Sequence, residues 1–175
     1  MGGVWEARRV FDQMTEKILV AWNAMLAAYV HNCLIDEACN LFDKMPERNA
    51  VSYTTMISGF VSVGKLDEAK NLLDAMPYKN VGAQTAMISG YVQHNMIDEG
   101  HKIFDQLSSR GIACWNTMIT GYARSGKMDE AFYLFKKMEQ KSVVIWNTMI
   151  AGYAQAGKME NSFQMFENMR KNGDL

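Results

Sequence analysis

The sequence has little of what marks many classes of protein. Of its 175 residues, only two are prolines and three are cysteines. An odd number of cysteines without a CxxC pair predicts reduced thiols, and neither a disulfide framework nor a zinc site. No apolar run is long enough to span a bilayer, so we expect no membrane role. The formal charge of −1 argues against general polyanion binding, although it allows a site with few phosphate contacts.

Motifs for catalysis are also missing, and the near-matches have structural explanations. Residues 121–128 resemble the phosphate loop GxxxxGK[ST], but Met128 stands where a magnesium-binding hydroxyl is required, and a helix precedes the first glycine. Most of the methionines recur on apolar helical stripes, which predicts a core role and not soft-metal binding. His31, His94 and His101 share no ligand spacing. We therefore expect no catalytic residues, no metal and no cofactor, and predict that this chain is not an enzyme.

What the sequence does contain is one pattern that recurs at a constant interval of 31 residues. Its last copy reads Trp-Asn-Thr-Met-Ile-Ala-Gly-Tyr from Trp146, and earlier copies begin at Trp22, Tyr53, Gln84 and Trp115. Self-similarity at a fixed period of this size indicates an array of structural repeats.

Each repeat contains two helical patterns. In the repeat that starts at Ala50, the first pattern is an apolar stripe at i, i+3, i+4 and i+7, formed by Tyr53, Met56, Ile57 and Phe60. Gly64 and Lys65 interrupt it. A second helix follows from about Leu66, with two carboxylates in its first turn, where the helix dipole favours them.

Each repeat is thus a helix–turn–helix hairpin whose apolar face only a neighbouring hairpin can cover. We predict an all-α fold, a right-handed α-solenoid of such hairpins stacked into a superhelix. It should be one continuous domain with a half repeat (second helix only) at 1–18, four repeats at 19–49, 50–80, 81–111 and 112–142, and a fifth with a ragged end at 143–175. The opening half repeat suggests that a helix precedes it, and uncapped ends would allow self-association.

Two positions vary among small and polar residues within this fixed frame. One directly follows the aromatic position of each first helix, and the other closes the repeat. We call each pair a rung: Asn23 with Asn49, Thr54 with Asn80, Thr85 with Gly111, Asn116 with Ser142, and Asn147 alone. Asn and Thr are indifferent helix formers, so helix propensity does not explain them. Two interpretations remain open: helix capping with hydrogen bonding between repeats, or a series of groups that read base edges.

The pattern V-x-[WY]-[NT]-x-M-I-x-G-[YF], followed by G-K-[LM]-[DE]-E-A and L-F-x-x-M, closely resembles the short class of pentatricopeptide repeats over nearly the whole chain. The related tetratricopeptide repeats are longer, at about 34 residues, and have a different pattern. The resemblance implies binding of single-stranded RNA, one base per repeat. It also implies a role in RNA processing, editing or stabilisation in a mitochondrion or chloroplast, alongside RNA-processing or editing proteins. The chain itself begins with no transit peptide.

The resemblance assigns roles residue by residue. The rungs would read base edges, with Asn associated with pyrimidines and Thr with purines, which implies the target 5′-pyrimidine-A-purine-C-pyrimidine-3′. An apolar wedge that sandwiches each base falls on Val20, Val51 and Val144, whereas Gly82 and Ala113 depart from it. The candidates for phosphate contacts, which could equally be ordinary surface residues, are Arg48, Lys79, Arg110, Arg124 and Lys141. The alternative function is a protein- or peptide-binding helical-repeat scaffold.

Overall fold

The computed structural model describes residues 2–173, and every regular element within that range is an α-helix. This confirms the prediction of an all-α protein. The helices are α1 (Gly2–Gln13), α2 (Leu19–His31), α3 (Ile35–Asp43), α4 (Ala50–Ser62), α5 (Leu66–Asp74), α6 (Val81–Gln93), α7 (Ile97–Gln106), α8 (Ile112–Arg124), α9 (Met128–Lys137), α10 (Val143–Gln155) and α11 (Met159–Lys171). The first helices of the repeats are α2, α4, α6, α8 and α10, and the second helices are α1, α3, α5, α7, α9 and α11.

The chain forms two compact units, one ending at Gly90 and the other beginning at Tyr91. The boundary lies inside α6. In the first unit, α2 packs against α1, α3 and α4. In the second unit, α8 packs against α7, α9 and α10 in the same manner. Each unit is therefore built from consecutive helical hairpins that cover one another's apolar faces.

The turn inside each hairpin depends on a residue with positive φ. Gly64, Gly126 and Gly157 occupy this position with φ of 76°, 73° and 72°. The backbone N–H of the next residue donates back into the last turn of the first helix, as Lys127 does to the carbonyl of Tyr122. Glycine suits this position because it has no Cβ to clash in the left-handed region. The second helix can then start two residues later and run back along the first.

Aromatic pairs hold successive repeats together within each unit. In four of the five repeats, the aromatic residue near the start of the first helix meets the phenylalanine of the preceding second helix edge-on, whereas the third repeat has Gln84 and Leu73 at these positions. The ring centroids are 5.0 Å apart for Phe11–Trp22, 5.4 Å for Phe42–Tyr53, 4.9 Å for Phe104–Trp115 and 4.7 Å for Phe135–Trp146. This edge-to-face arrangement is the favourable one for aromatic rings. Each of these four aromatic pairs fixes the rotation, about its own axis, of the first helix that carries it.

A tyrosine at the opposite end of the first helix makes a second connection. The Tyr122 hydroxyl lies 2.8 Å from Nδ1 of His101, on the preceding second helix. Arg8 donates to the hydroxyl of Tyr29 at 3.3 Å in the equivalent place. Burial raises the pKa of Tyr122 to about 12, and nearby Asp98, Glu130 and Asp105 add to the shift. The phenol therefore remains neutral and able to form a hydrogen bond at physiological pH.

The core consists of the repeated apolar positions. The first-helix methionines Met25, Met56, Met87, Met118 and Met149 are at most 3% exposed, which confirms their predicted core role. Among the methionines at the end of the second helices, Met45, Met138 and Met169 are buried, whereas Met14 is 36% exposed.

Candidate functional site

The first-helix member of each rung directly follows the aromatic position; it is half-buried in Asn23, Thr54, Thr85 and Asn116 and exposed in Asn147. Trp22 is anchored against Phe11, and the following residue, Asn23, is rotated about 100° around the helix. Val20 lies one turn before Asn23, so the two side chains are neighbours on the helix surface. Val51 with Thr54 and Val144 with Asn147 have the same spacing. Aromatic packing thus fixes the rotation of the first helix in four of the repeats, while the third repeat has Gln84 at that position.

The first rung is joined by a direct hydrogen bond. Nδ2 of Asn23 donates to Oδ1 of Asn49 at 3.3 Å, and both residues are half-buried. Asn49 is also the N-cap of α4, where the same oxygen accepts the backbone N–H groups of Val51 and Ser52, each at 3.1 Å. Asparagine is among the best N-cap residues because it satisfies these otherwise unpaired donors.

The second rung has a cap but a different contact surface. Oδ1 of Asn80 accepts the backbone N–H of Ala83 at 3.0 Å, at the start of α6. A Cβ atom at Gly82 would lie 3.0 Å from this oxygen and 3.9 Å from Oγ1 of Thr54. Because the third repeat has glycine at its wedge position, no apolar side chain at residue 82 covers Oδ1 of Asn80 or Oγ1 of Thr54.

The two members of the third rung lie in different units, Thr85 in the first and Gly111 in the second. Thr85 is half-buried, and its hydroxyl donates to the carbonyl of Val81 at 2.7 Å, one turn back in α6. Gly111 is exposed and is the N-cap of α8 without a side chain to accept a hydrogen bond. The Thr85 hydroxyl thus keeps its lone pairs for a further donor.

The fourth and fifth rungs differ in exposure. Asn116 is half-buried, and its Oδ1 is a buried atom without a hydrogen-bond partner, as is Oδ1 of Asn23. Oγ of Ser142 accepts the backbone N–H of Ile145 at 3.4 Å and so caps α10. Asn147 is exposed. Capping is accordingly one role of Asn49, Asn80 and Ser142, whereas the role of the rungs in reading bases stays a prediction.

The predicted wedge residues are the most exposed valines of their helices. Val20, Val51 and Val144 are 71%, 54% and 65% exposed. Gly82 and Ala113, which occupy the same position in the third and fourth repeats, are exposed as well. A β-branched side chain held on a helix surface is rigid, so these valines can form a flat apolar contact with a planar group.

Most of the basic residues proposed for phosphate contacts already have intramolecular partners. Arg48 donates to the carbonyls of Phe42 and Asp43 at 3.0 and 3.1 Å, and its guanidinium lies 4.7 Å from the Phe42 ring centre. Arg110 makes the equivalent contacts with Phe104 and Asp105 at 3.0 and 3.1 Å. Lys141 donates to the carbonyl of Met138 at 2.7 Å. These residues cap the C-terminal ends of second helices, where cations are favoured.

Lys79 and Arg124 differ from those three. Arg124 is the exposed last residue of α8. Lys79 is exposed, and residue 73, where the other repeats have the phenylalanine, is Leu73. Of the five candidates, these two make no helix-end contact of this kind among the described residues.

Two contributors to this arrangement were not among the predicted site residues. Lys17 belongs to the same capping series, since it lies one repeat before Arg48 and donates to the carbonyl of Met14 at 2.9 Å. Ser52 is completely buried and bonds to Asn49 at the first rung. The 31-residue register identifies Lys17. Ser52 has no such signal, because the equivalent positions hold Ala21, Ala83, Cys114 and Ile145.

The described residues contain no group of three or more His, Cys, Asp or Glu side chains placed to hold a metal ion. No helix between residues 2 and 173 is long and apolar enough to cross a membrane.

Tandem helical hairpins with a packed first helix and a small polar residue at a fixed position of that helix define a helical-repeat protein. Sequence profiles of the PPR repeat match residues 20–49, 47–77, 85–112 and 113–143, and a profile of the PPR repeat family matches residues 141–174. These matches cover most of the chain, which therefore belongs to the pentatricopeptide repeat family.

A curated relative supports the same family over a short stretch. A mitochondrial pentatricopeptide repeat-containing protein of Arabidopsis thaliana is 51% identical over 37 residues, which is 21% of this chain and 6% of that protein.

Solved structures share the fold at low sequence identity. The pentatricopeptide repeat protein PPR10 from maize superposes with a TM-score of 0.77 at 16% identity, over 89% of this chain and 25% of that chain. PPR10 in complex with an 18-nt psaJ RNA element gives 0.73 at 17% identity, over 99% of this chain and 32% of that chain. Nuclear proteinaceous RNase P 2 from A. thaliana gives 0.66 at 11% identity, over 86% of this chain and 37% of that chain. The chain spans well under half the length of each, and the likeness establishes an α-solenoid fold.

Proposed function

We propose that this chain is a sequence-specific module that binds single-stranded RNA, with one base facing each rung. The observation that carries this proposal is a pair that recurs on three of the five first helices: an exposed valine followed one turn later by a small polar residue, in Val20 with Asn23, Val51 with Thr54 and Val144 with Asn147. Bases that are unstacked from single-stranded RNA can be read in this manner, because the wedge contacts the ring face while the polar group contacts the edge.

The proposed target is 5′-pyrimidine-A-purine-C-pyrimidine-3′. An Asn side chain provides amide donors as well as an acceptor for a pyrimidine edge, whereas the shorter Thr hydroxyl leaves room for a purine. The third and fourth bases should be held less firmly, since Gly82 and Ala113 replace the wedge valine. The fold likeness to PPR10, solved with an RNA element, supports this choice of ligand.

We further propose that the module acts without catalysis in organellar RNA processing, editing or stabilisation, in the company of other RNA-processing proteins. The mitochondrial relative supports an organelle as the location.

The sharpest test of RNA binding is at the fourth rung. We expect Asn116→Ala to lower the affinity for an RNA with the proposed target by about threefold to tenfold, the worth of one hydrogen bond, and to reduce the preference for C at the fourth base. Fluorescence anisotropy with short labelled RNAs measures both effects, and circular dichroism checks that the helices are intact.

Thr117→Ala is the matched control. Thr117 is the next residue of α8, and its hydroxyl donates to the carbonyl of Ala113 at 2.9 Å within the same helix. We expect this variant to bind RNA like the parent chain. Equal affinity of the parent for the target and for its purine/pyrimidine inverse would contradict sequence-specific binding, and no affinity for RNA at all would favour the protein-binding scaffold.

A further inference from the structure

Two second helices of the first unit have nearly the same sequence but are buried to different extents. The sequence of α3 is IDEACNLFD and that of α5 is LDEAKNLLD, so both have nine residues and share Asp, Glu, Ala, Asn, Leu and Asp. Leu41 and Phe42 of α3 are 2% and 7% exposed, whereas the equivalent Leu72 and Leu73 of α5 are only half-buried. Because the two helices match in length and composition, the difference lies in what packs against them.

One cause is that the junction of α5 with α6 has no aromatic pair. Phe42 of α3 meets Tyr53 of α4 edge-on, with the ring centroids 5.4 Å apart. The equivalent residues of α5 and α6 are Leu73 and Gln84. An edge-to-face pair stabilises a junction beyond the area that it buries. The start of α6 is therefore held to α5 without the contribution that holds α4 to α3.

The other cause lies at the C-terminal end of α5. Arg48 donates to the carbonyls of Phe42 and Asp43, and its guanidinium lies 4.7 Å from the Phe42 ring centre, which secures the end of α3. The equivalent residue after α5 is Lys79, which is exposed and makes no such contact among the described residues. Met76 is accordingly half-buried, whereas its equivalent after α3 is 4% exposed. The segment that leads from α5 to α6 thus lacks both the ring and the cation.

We propose that the junction of α5 with residues 81–90 of α6, which we call the α5–α6 joint, is a built-in joint that opens more readily than the junction of α3 with α4. This inference goes beyond the proposed function. Opening exposes Leu72, Leu73 and Met76 to water. Since these side chains are already half-buried, less apolar burial is lost than in the equivalent opening at α3.

The second rung spans the α5–α6 joint. Thr54 lies on α4, whereas Oδ1 of Asn80 accepts the backbone N–H of Ala83 at 3.0 Å and so ties Asn80 to α6. In the closed joint the start of α6 is close to α4, because a Cβ at Gly82 would lie 3.9 Å from Oγ1 of Thr54. Opening of the joint separates Thr54 from Asn80. A ligand that contacts both residues therefore binds the closed joint and stabilises it.

Hydrogen-exchange mass spectrometry tests the joint by comparing α5 with α3 in the same molecule. Helices of nine residues are not stable by themselves, so their amides exchange when their packing is lost. We expect the amides of α5 to exchange about tenfold or more faster than those of α3. An ion pair between Lys70 and Asp74 lies within α5 and favours slower exchange, so it cannot be the source of this difference.

The first unit supplies a matched pair of double variants. Leu73→Phe with Gln84→Tyr copies the Phe42–Tyr53 pair into the joint and should slow the exchange of α5 by about twofold to tenfold. Phe42→Leu with Tyr53→Gln copies the residues of the joint into the junction of α3 with α4, and should speed the exchange of α3 by a similar factor. Circular dichroism checks that both variants are folded. An RNA with the proposed target, added to the parent chain, should slow exchange in α5 more than in α3; this arm alone rests on the proposed function.

The outcomes separate the joint from RNA binding. Equal exchange of α5 and α3 in the parent chain would overturn the joint. So would a folded Leu73→Phe, Gln84→Tyr variant in which α5 exchanges as fast as before. If that variant does not fold, unchanged exchange of α3 in Phe42→Leu with Tyr53→Gln would overturn it instead. An RNA that binds without protecting α5 would overturn the link to the second rung. A chain that binds no RNA would overturn only the proposed function, because the comparison of α5 with α3 needs no RNA.

Discussion

At the scale of single residues, two turns in the array deviate from the glycine that the others use. Cys33 and Asn95 have φ of 58° and 59°, close to the 72° to 76° of Gly64, Gly126 and Gly157. A side chain in the left-handed region costs about 1–2 kcal/mol, although Asn tolerates it better than most residues. The hairpin geometry is therefore imposed on Cys33 by the packing of α2 against α3.

This strain can be tested by substitution. We expect Cys33→Gly to raise the free energy of unfolding by about 1 kcal/mol, because the relief of steric strain exceeds the entropy that glycine adds to the unfolded chain. Asn95→Gly should raise it by less. Urea denaturation followed by circular dichroism measures both changes. Gly64→Ala is the reverse control and should destabilise; a neutral or destabilising Cys33→Gly would show that the turn is not strained.

The positions of the rung residues could be predicted from the sequence, but the environment of their amide oxygens could not. The 31-residue register located Asn23 and Asn116 as unusual polar residues on packed helices. It could not indicate that the oxygen of each is buried and unpartnered. That depends on a neighbour, such as Asn49, which is 26 residues away in the chain.

At the scale of helices, close packing between repeats depends on one glycine in the first helix. A Cβ atom at Gly121 would lie 2.8 Å from a methyl group of Val92 and 3.0 Å from Cδ1 of Ile97. Gly59 and Gly90 are similarly enclosed in the first unit. The glycine that recurs in the sequence pattern is therefore a contact residue, placed where an adjacent helix approaches most closely.

We expect Gly121→Ala to lower the free energy of unfolding by about 1–3 kcal/mol, since the clash with branched side chains outweighs the better helix propensity of alanine. Thermal denaturation of the variant measures the change. Gly3→Ala, within α1, provides the comparison, because a Cβ there would meet nothing within 4 Å. If the two variants were equally stable, the close approach of α8 to its neighbours would not restrict the size of the side chain at residue 121.

At the scale of the whole molecule, the charge distribution would limit how the proposed RNA ligand could be held. The net charge is −1, and Arg48, Arg110 and Lys141 use their donors on helix carbonyls. Lys79 and Arg124 remain as exposed candidates. Affinity should therefore come mainly from the bases and only weakly from phosphates.

This leads to a prediction for the salt dependence of binding. Two phosphate contacts would give a slope of about −1.4 when the logarithm of the association constant is plotted against the logarithm of the salt concentration, whereas five contacts would give about −3.5. We expect the smaller value in anisotropy titrations. Arg124→Ala should reduce its magnitude by about 0.7, while Arg110→Ala should leave the slope unchanged and lower stability instead. A slope near −3.5 would mean that the helix-capping residues also contact RNA.

The sequence by itself determined the helices, the hairpins and the positions of the rungs. These follow from apolar spacing, glycine and the constant period, all of which are local properties repeated along the chain. Only the tertiary structure decided which basic residues are committed to helix ends, that Asn49, Asn80 and Ser142 act as caps, and that Asn23 and Asn49 are joined by a hydrogen bond. Those outcomes depend on hydrogen bonds between groups that are distant in the chain and on the burial of individual atoms. The 31-residue repeat shows where such residues lie in the sequence, but it does not show which of their atoms come into contact.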